Sequence, residues 1–140
     1  MAYVDTSVLV ALLANEPAAD RVYAWLRNQE PGSLHVSGRT MTEFSSALSL
    51  KQRTGQIDMK QKAQALAAFN QLVTRSLVTL QVTPSEYHAA ARLCDRTELG
   101  LRAGDSLHIA IAVSNGLKVA TLDKIMATAC STIAHPVIAI

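Results

Sequence analysis

Five short apolar runs, at 2–5, 34–37, 77–82, 118–122 and 136–140, alternate with longer segments of helical periodicity. Runs this short, rich in Val, Ile, Leu and Ala, read as buried strands. Every segment between them exceeds the roughly one dozen residues that a parallel crossover needs. The expected architecture is therefore α/β, a three-layer α/β/α sandwich around a five-stranded sheet. The chain has 140 residues and is 49% apolar, enough for one folded core. With no repeat, linker or low-complexity tract, we expect a single domain over 1–140.

Helix punctuation supports this division. Pro17 fits the first position of a helix running to about Asn28, with Gly32 beyond it. Thr40-Met41-Thr42-Glu43 matches a capping box opening a helix that Gly55 ends. Asp58 suits the cap of a long helix with Met59, Ala63, Leu66, Val73 and Leu77 on one apolar face. Thr83-Pro84-Ser85-Glu86 combines a capping box with a first-turn proline. A last long helix is expected from about Gly104 to Asn115, ending at Gly116.

Acidic residues stand at the junctions of this pattern. Asp5 and Asp123 end the first and fourth apolar runs, and Glu43 and Asp105 lie near the starts of periodic segments. Ligands of an open parallel sheet bind beyond the carboxyl ends of the strands. Each acid alone also reads as a helix cap. Their apolar surroundings favour a joint explanation, since an uncompensated buried carboxylate is costly. Carboxylates that meet repel one another unless a cation joins them, and a hard divalent ion such as Mg²⁺ or Mn²⁺ suits oxygen donors.

The formal charge is +2, and with the four acids set aside 13 basic residues face only seven acidic ones. An acidic pocket in a mildly basic body suits a polyanionic substrate. The longest apolar run, Val8 to Ala14, is far short of the roughly 20 residues of a membrane span. The start of the chain lacks a basic segment before that run, so no signal peptide is expected. Cys94 and Cys130 have no metal-ligand spacing and read as reduced thiols of a cytoplasmic protein.

Four ordered motifs resemble the PIN domain: Val4-Asp5-Thr6-Ser7-Val8-Leu9, Thr42-Glu43-Phe44-Ser45-Ser46-Ala47-Leu48, Ala103-Gly104-Asp105-Ser106-Leu107-His108-Ile109-Ala110 and Ala120-Thr121-Leu122-Asp123. Within that superfamily, the length is similar to the VapC toxins of type II toxin–antitoxin pairs. The resemblance implies a parallel sheet of order 3-2-1-4-5 and Mg²⁺- or Mn²⁺-dependent endoribonuclease activity. It also implies that Asp5, Glu43, Asp105 and Asp123 bind the metal, and that Thr6 or Ser7 supplies a hydroxyl near the metal or scissile phosphate. Implied partners are an RNA substrate, a VapB-type antitoxin and a second copy in a homodimer. The sequence departs from the family at Met126, where an aromatic residue is common.

Arg39, Arg102 and Lys124 lie within four positions of a site acid and are candidate phosphate contacts. His108 shares a helical face with Asp105 and reads as a packing or orienting residue. Tyr23 and Trp25 are candidates for base stacking or a partner-facing helix. An antitoxin helix is expected in a groove between the helices at 17–29 and 40–54. A haloacid dehalogenase-type phosphotransferase needs an acid where Ser7 stands. A receiver domain needs an Asp after the third strand, which ends Gln81-Val82-Thr83. The remaining alternative is a non-catalytic PIN-fold module that binds RNA or protein.

Overall fold

The computed structural model describes residues 1–140. The five expected strands are present as β1 (Ala2–Val4), β2 (Leu34–Ser37), β3 (Val78–Leu80), β4 (Lys118–Thr121) and β5 (Val137–Ala139). They form one parallel sheet in the order β3-β2-β1-β4-β5. Seven α-helices connect them: α1 (Thr6–Leu13), α2 (Ala19–Leu26), α3 (Gly38–Arg53), α4 (Met59–Ser76), α5 (Pro84–Asp95), α6 (Ala103–Ser114) and α7 (Lys124–Thr132).

Strand alternation sorts the core into two layers. On one face Ala2, Val4, Val36 and Ala120 pack with Val8 and Leu9 of α1, Val22 of α2, Phe44 and Leu48 of α3, and Phe69 of α4. Phe44 and Phe69 stack at 4.1 Å between ring centroids. On the other face Tyr3 and Val119 pack with Ala90 of α5, the Ile109–Ala112 stretch of α6, and Met126, Ala129 and Cys130 of α7. Met126 fills this second layer as an ordinary core side chain, 1% exposed.

Two helix starts and the buried face of a third helix differ from the sequence expectation. Residues 16–19 close a turn in which the Ala19 amide donates to the Glu16 carbonyl, so α2 begins after Pro17 rather than at it. α3 begins at Gly38, because Ser37 at the end of β2 is its cap and the Thr40 hydroxyl accepts from the Ser37 amide. Glu43 is thus released from capping. On α4, Ala65 and Phe69 are buried while Met59 is 75% exposed, so the core-facing stripe is rotated from the expected one. The Asp58 and Thr83 caps form as expected, with Gln61 and Glu86 as their partners. Both cysteines are free, and no helix is long and apolar enough to cross a membrane.

The strand order places a topological switch point between β1 and β4. The chain leaves β1 through helices on one face and leaves β4 through α7 on the other. The carboxyl ends of these neighbouring strands therefore open a crevice, the usual ligand position in such sheets.

Candidate metal centre

Asp5 and Asp123 flank this crevice, directly after β1 and just after β4. α3 brings Glu43 to it, and the first turn of α6 brings Asp105. Thr6, Ser7, Glu43, Leu122 and Asp123 line an open groove of about 420 Å³ at this end of the sheet.

Three of the acids keep one oxygen out of hydrogen bonds, although Asp5 Oδ1 faces His108 Nε2 at 3.7 Å. Asp5 is 4% exposed, and its Oδ2 accepts from the Ser7 amide and hydroxyl and from Thr121 Oγ1 at 2.9 Å. None of these bonds uses Oδ1. Asp123 caps α7 through Oδ1, which accepts from the Ile125 and Met126 amides at 2.7 and 3.0 Å. Asp105 is the third residue of α6 rather than its cap, yet its Oδ2 still reaches back to the Arg102 amide at 3.4 Å. Capping and ligand roles are therefore compatible, because a carboxylate has two oxygens.

Glu43 is more fully engaged. Its Oε2 accepts from Thr6 Oγ1 at 2.7 Å and from His108 Nε2 at 2.6 Å. Its Oε1 pairs with Arg39 at 2.6 Å. Burial pushes its acidity down, but the hydrogen bonds from His108 and Thr6 and the neighbouring Arg39 guanidinium win, and hold its pKa at about 2. Asp105 moves the other way. Burial first, then the charges of Asp123 and Asp5, raise its pKa despite the Arg102 amide. Burial and neighbouring like charges both disfavour an ionised carboxylate.

The tightest trio of ligand-type side chains is Asp5, Glu43 and His108, whose donor atoms lie within 4.8 Å of one another. Hard carboxylate oxygens dominate the cluster, so the donor set fits Mg²⁺ or Mn²⁺. The Thr6 and Ser7 hydroxyls are spent on holding Glu43 and Asp5. Arg102 and Lys124 are exposed at the first turns of α6 and α7, whereas Arg39 lies against Glu43.

His108 is fully buried, and its Nδ1 lies 2.8 Å from the Tyr3 hydroxyl. Sequence spacing assigns His108 an orienting or packing role and leaves Tyr3 as part of the first apolar run. A tyrosine within an otherwise aliphatic buried strand is itself a signal, since its hydroxyl needs a partner. Elsewhere, an apolar groove of about 560 Å³ runs beside α2, lined by Tyr23, Leu26, Leu34, Leu72 and Leu77. Its second wall is the end of α4, not the helix at 40–54 expected from sequence.

The PIN domain family profile matches residues 2–130. No curated protein sequence matches the chain. Among solved structures, the chain is similar to the sarcin–ricin-loop-cleaving toxin VapC20 of Mycobacterium tuberculosis (19% identity, 92% of this chain and 95% of that one, TM-score 0.74). It is also similar to VapBC2 of Rickettsia felis, solved with a promoter DNA fragment (16% identity, 99% and 98%, TM-score 0.70). A third similar structure is PAE2754 of Pyrobaculum aerophilum (25% identity, 92% and 84%, TM-score 0.67).

Proposed function

The chain belongs to the PIN domain family, and on that premise we propose that it is a Mg²⁺- or Mn²⁺-dependent endoribonuclease, the toxin of a VapBC-type toxin–antitoxin pair. The observation that carries this reading is the cluster of Asp5, Glu43 and His108 at the switch-point crevice, with Asp105 close enough to Asp123 and Asp5 to feel their charges. Asp5, through Oδ1, and Asp105 would hold the ion most closely, and Asp123 and Glu43 would complete the site. A bound ion of this class neutralises phosphodiester charge and makes a water more acidic.

The protein's own contribution is rigidity. Thr121 and Ser7 fix Asp5, the α7 amides fix Asp123, and Thr6 with His108 fixes Glu43. Groups held on strands and helices keep the ligand geometry before the ion arrives. Arg102 and Lys124 at the rim contact the RNA phosphates on either side of the cut. Arg39 has donors to spare beyond the one used on Glu43, and shares them with the substrate.

The partner in this reading is a VapB-type antitoxin, which suppresses cleavage in the cytoplasm. An amphipathic antitoxin segment suits the groove beside α2, where Tyr23 is 60% exposed above Leu26 and Leu72. The toxin itself forms a homodimer.

The test is cleavage of total bacterial RNA by the purified, antitoxin-free protein with Mg²⁺ or Mn²⁺, beside EDTA and Asp105→Asn controls. Discrete fragments that vanish in both controls support the endoribonuclease. No fragments together with no metal binding by calorimetry favour a non-catalytic PIN-fold binding module instead.

A further inference from the structure

We propose that His108 is a positioning residue, the centre of a buried hydrogen-bond chain from Ser37 through Tyr3 to Glu43 that fixes the Glu43 carboxylate for metal binding. The proposal rests on the metal-dependent reading above.

The chain has a defined direction. An ionised Glu43 only accepts, so His108 Nε2 carries a proton and donates to Oε2 at 2.6 Å. In the neutral imidazole, Nδ1 then accepts from the Tyr3 hydroxyl at 2.8 Å. With its one proton committed, the Tyr3 oxygen accepts from Ser37 Oγ at 2.8 Å. Tyr3, Ser37 and His108 are all fully buried, so water does not compete for these bonds.

The chain crosses the molecule. Glu43 sits on α3 in one helical layer, His108 on α6 in the other, and Tyr3 and Ser37 on the neighbouring strands β1 and β2. A histidine that merely packed in the core would not need partners from both layers. Glu43 is also the acid most in need of such a support. It lies in mid-helix, is 25% exposed, and has no backbone amide among its hydrogen-bond partners. Without the imidazole, Thr6 alone opposes the pull of Arg39 on the other oxygen. Partners of metal ligands act in this way, and losing one costs roughly 10- to 100-fold in affinity or activity.

Calorimetric titration of the full chain with Mn²⁺ alone tests the proposal, using wild type, Asp105→Asn, His108→Leu, His108→Gln, Tyr3→Phe and the Tyr3→Phe/His108→Leu double variant. We expect His108→Leu to weaken Mn²⁺ binding about 10-fold or more. Tyr3→Phe acts in the same direction but less, and adds little once His108 is gone, because the two act through one chain. His108→Gln, which retains an N–H donor, recovers part of the affinity. In RNA cleavage the same variants lower kcat and leave KM near the wild-type value, since the phosphate contacts are intact.

The proposal is overturned if folded His108→Leu binds Mn²⁺ within about twofold of wild type, a margin well inside the losses expected for such a partner. It is equally overturned if the Tyr3→Phe effect adds in full to that of His108→Leu. Should His108→Leu not fold, Tyr3→Phe and His108→Gln decide by the same criterion. Wild type that binds no Mn²⁺, or Asp105→Asn that binds it equally well, overturns the metal-site reading itself and the role of His108 with it.

Discussion

Thr121 Oγ1 donates to Asp5 Oδ2 at 2.9 Å, tying the ends of two hydrogen-bonded strands across 116 positions of sequence. The same hydroxyl accepts from the Asp123 amide at 2.9 Å. One threonine therefore sets the positions of two acids. Thr121→Val keeps the shape and removes the hydroxyl. Its expected cost is about 1 kcal/mol of stability for the lost hydrogen bonds, and roughly 10-fold in Mn²⁺ affinity as Asp5 and Asp123 loosen. Thermal melting and calorimetry on the same preparation separate the two effects. Unchanged Mn²⁺ binding would show that Asp5 is held well enough by Ser7.

Asp105→Asn is expected to abolish cleavage without loss of stability. Burial and the charges of Asp123 and Asp5 raise the Asp105 pKa in the folded protein. A carboxyl raised in this way favours the folded state when protonated, and that contribution is lost as pH rises through its folded value. Metal-free wild type should therefore be less stable than Asp105→Asn near neutral pH, with the gap closing on acidification. Urea unfolding in EDTA across pH measures it. A marked loss of stability in Asp105→Asn at neutral pH would mean that the carboxylate is structural.

The central strands β1, β2 and β4 were legible because buried parallel strands read as apolar runs, and the more exposed edge strands β3 and β5 also stand where their runs predicted. The acids were legible because each follows or opens an element. Their division of labour was not. Cap and ligand looked like alternatives for Asp5 and Asp123, whereas the folded chain uses one oxygen of each for the helix start. The start of α3 differs from the expected one because Ser37 and Thr40 offer a second capping pair three positions upstream of the Thr40–Glu43 one. The contact between Tyr3 and His108 spans 105 positions and leaves no periodic trace.

A separate carboxylate gives a pH signature away from the crevice. Glu86 caps α5, accepting from the Thr83 hydroxyl and amide, and also takes a 2.8 Å hydrogen bond from Ser114 at the end of α6. The Thr83 hydroxyl first, then Ser114, hold its pKa at about 2 against an ordinary value of 4.5. A depressed carboxylate contributes stability that is present above its unfolded pKa and lost as pH falls toward the folded one. Glu86→Gln should therefore flatten the stability profile between pH 4.5 and about 2, leaving Mn²⁺ binding at neutral pH unchanged. Chemical denaturation at stepped pH values checks this, and parallel profiles for wild type and variant would refute the assignment.

Gly104 is the most informative glycine in the chain. It lies inside α6, where alanine is favoured by about 1 kcal/mol on intrinsic propensity. Yet a methyl group there would stand 2.5 Å from Glu43 Oε1 and would overlap the Arg39 guanidinium. The Arg39–Glu43 pair lies directly across the bare backbone, so the absence of a side chain is what lets α3 and α6 approach at the site. Gly104→Ala should keep its fold, because Arg39 has a flexible side chain that can move toward solvent. Glu43 would then lose its partner on Oε1 and be displaced from its place beside Asp5. We expect cleavage to fall at least about 10-fold, the scale on which small misplacements of site groups act, with melting little changed. A drop in melting temperature with full residual activity would instead mean that Gly104 serves helix packing and that the position of Arg39 is immaterial to the site.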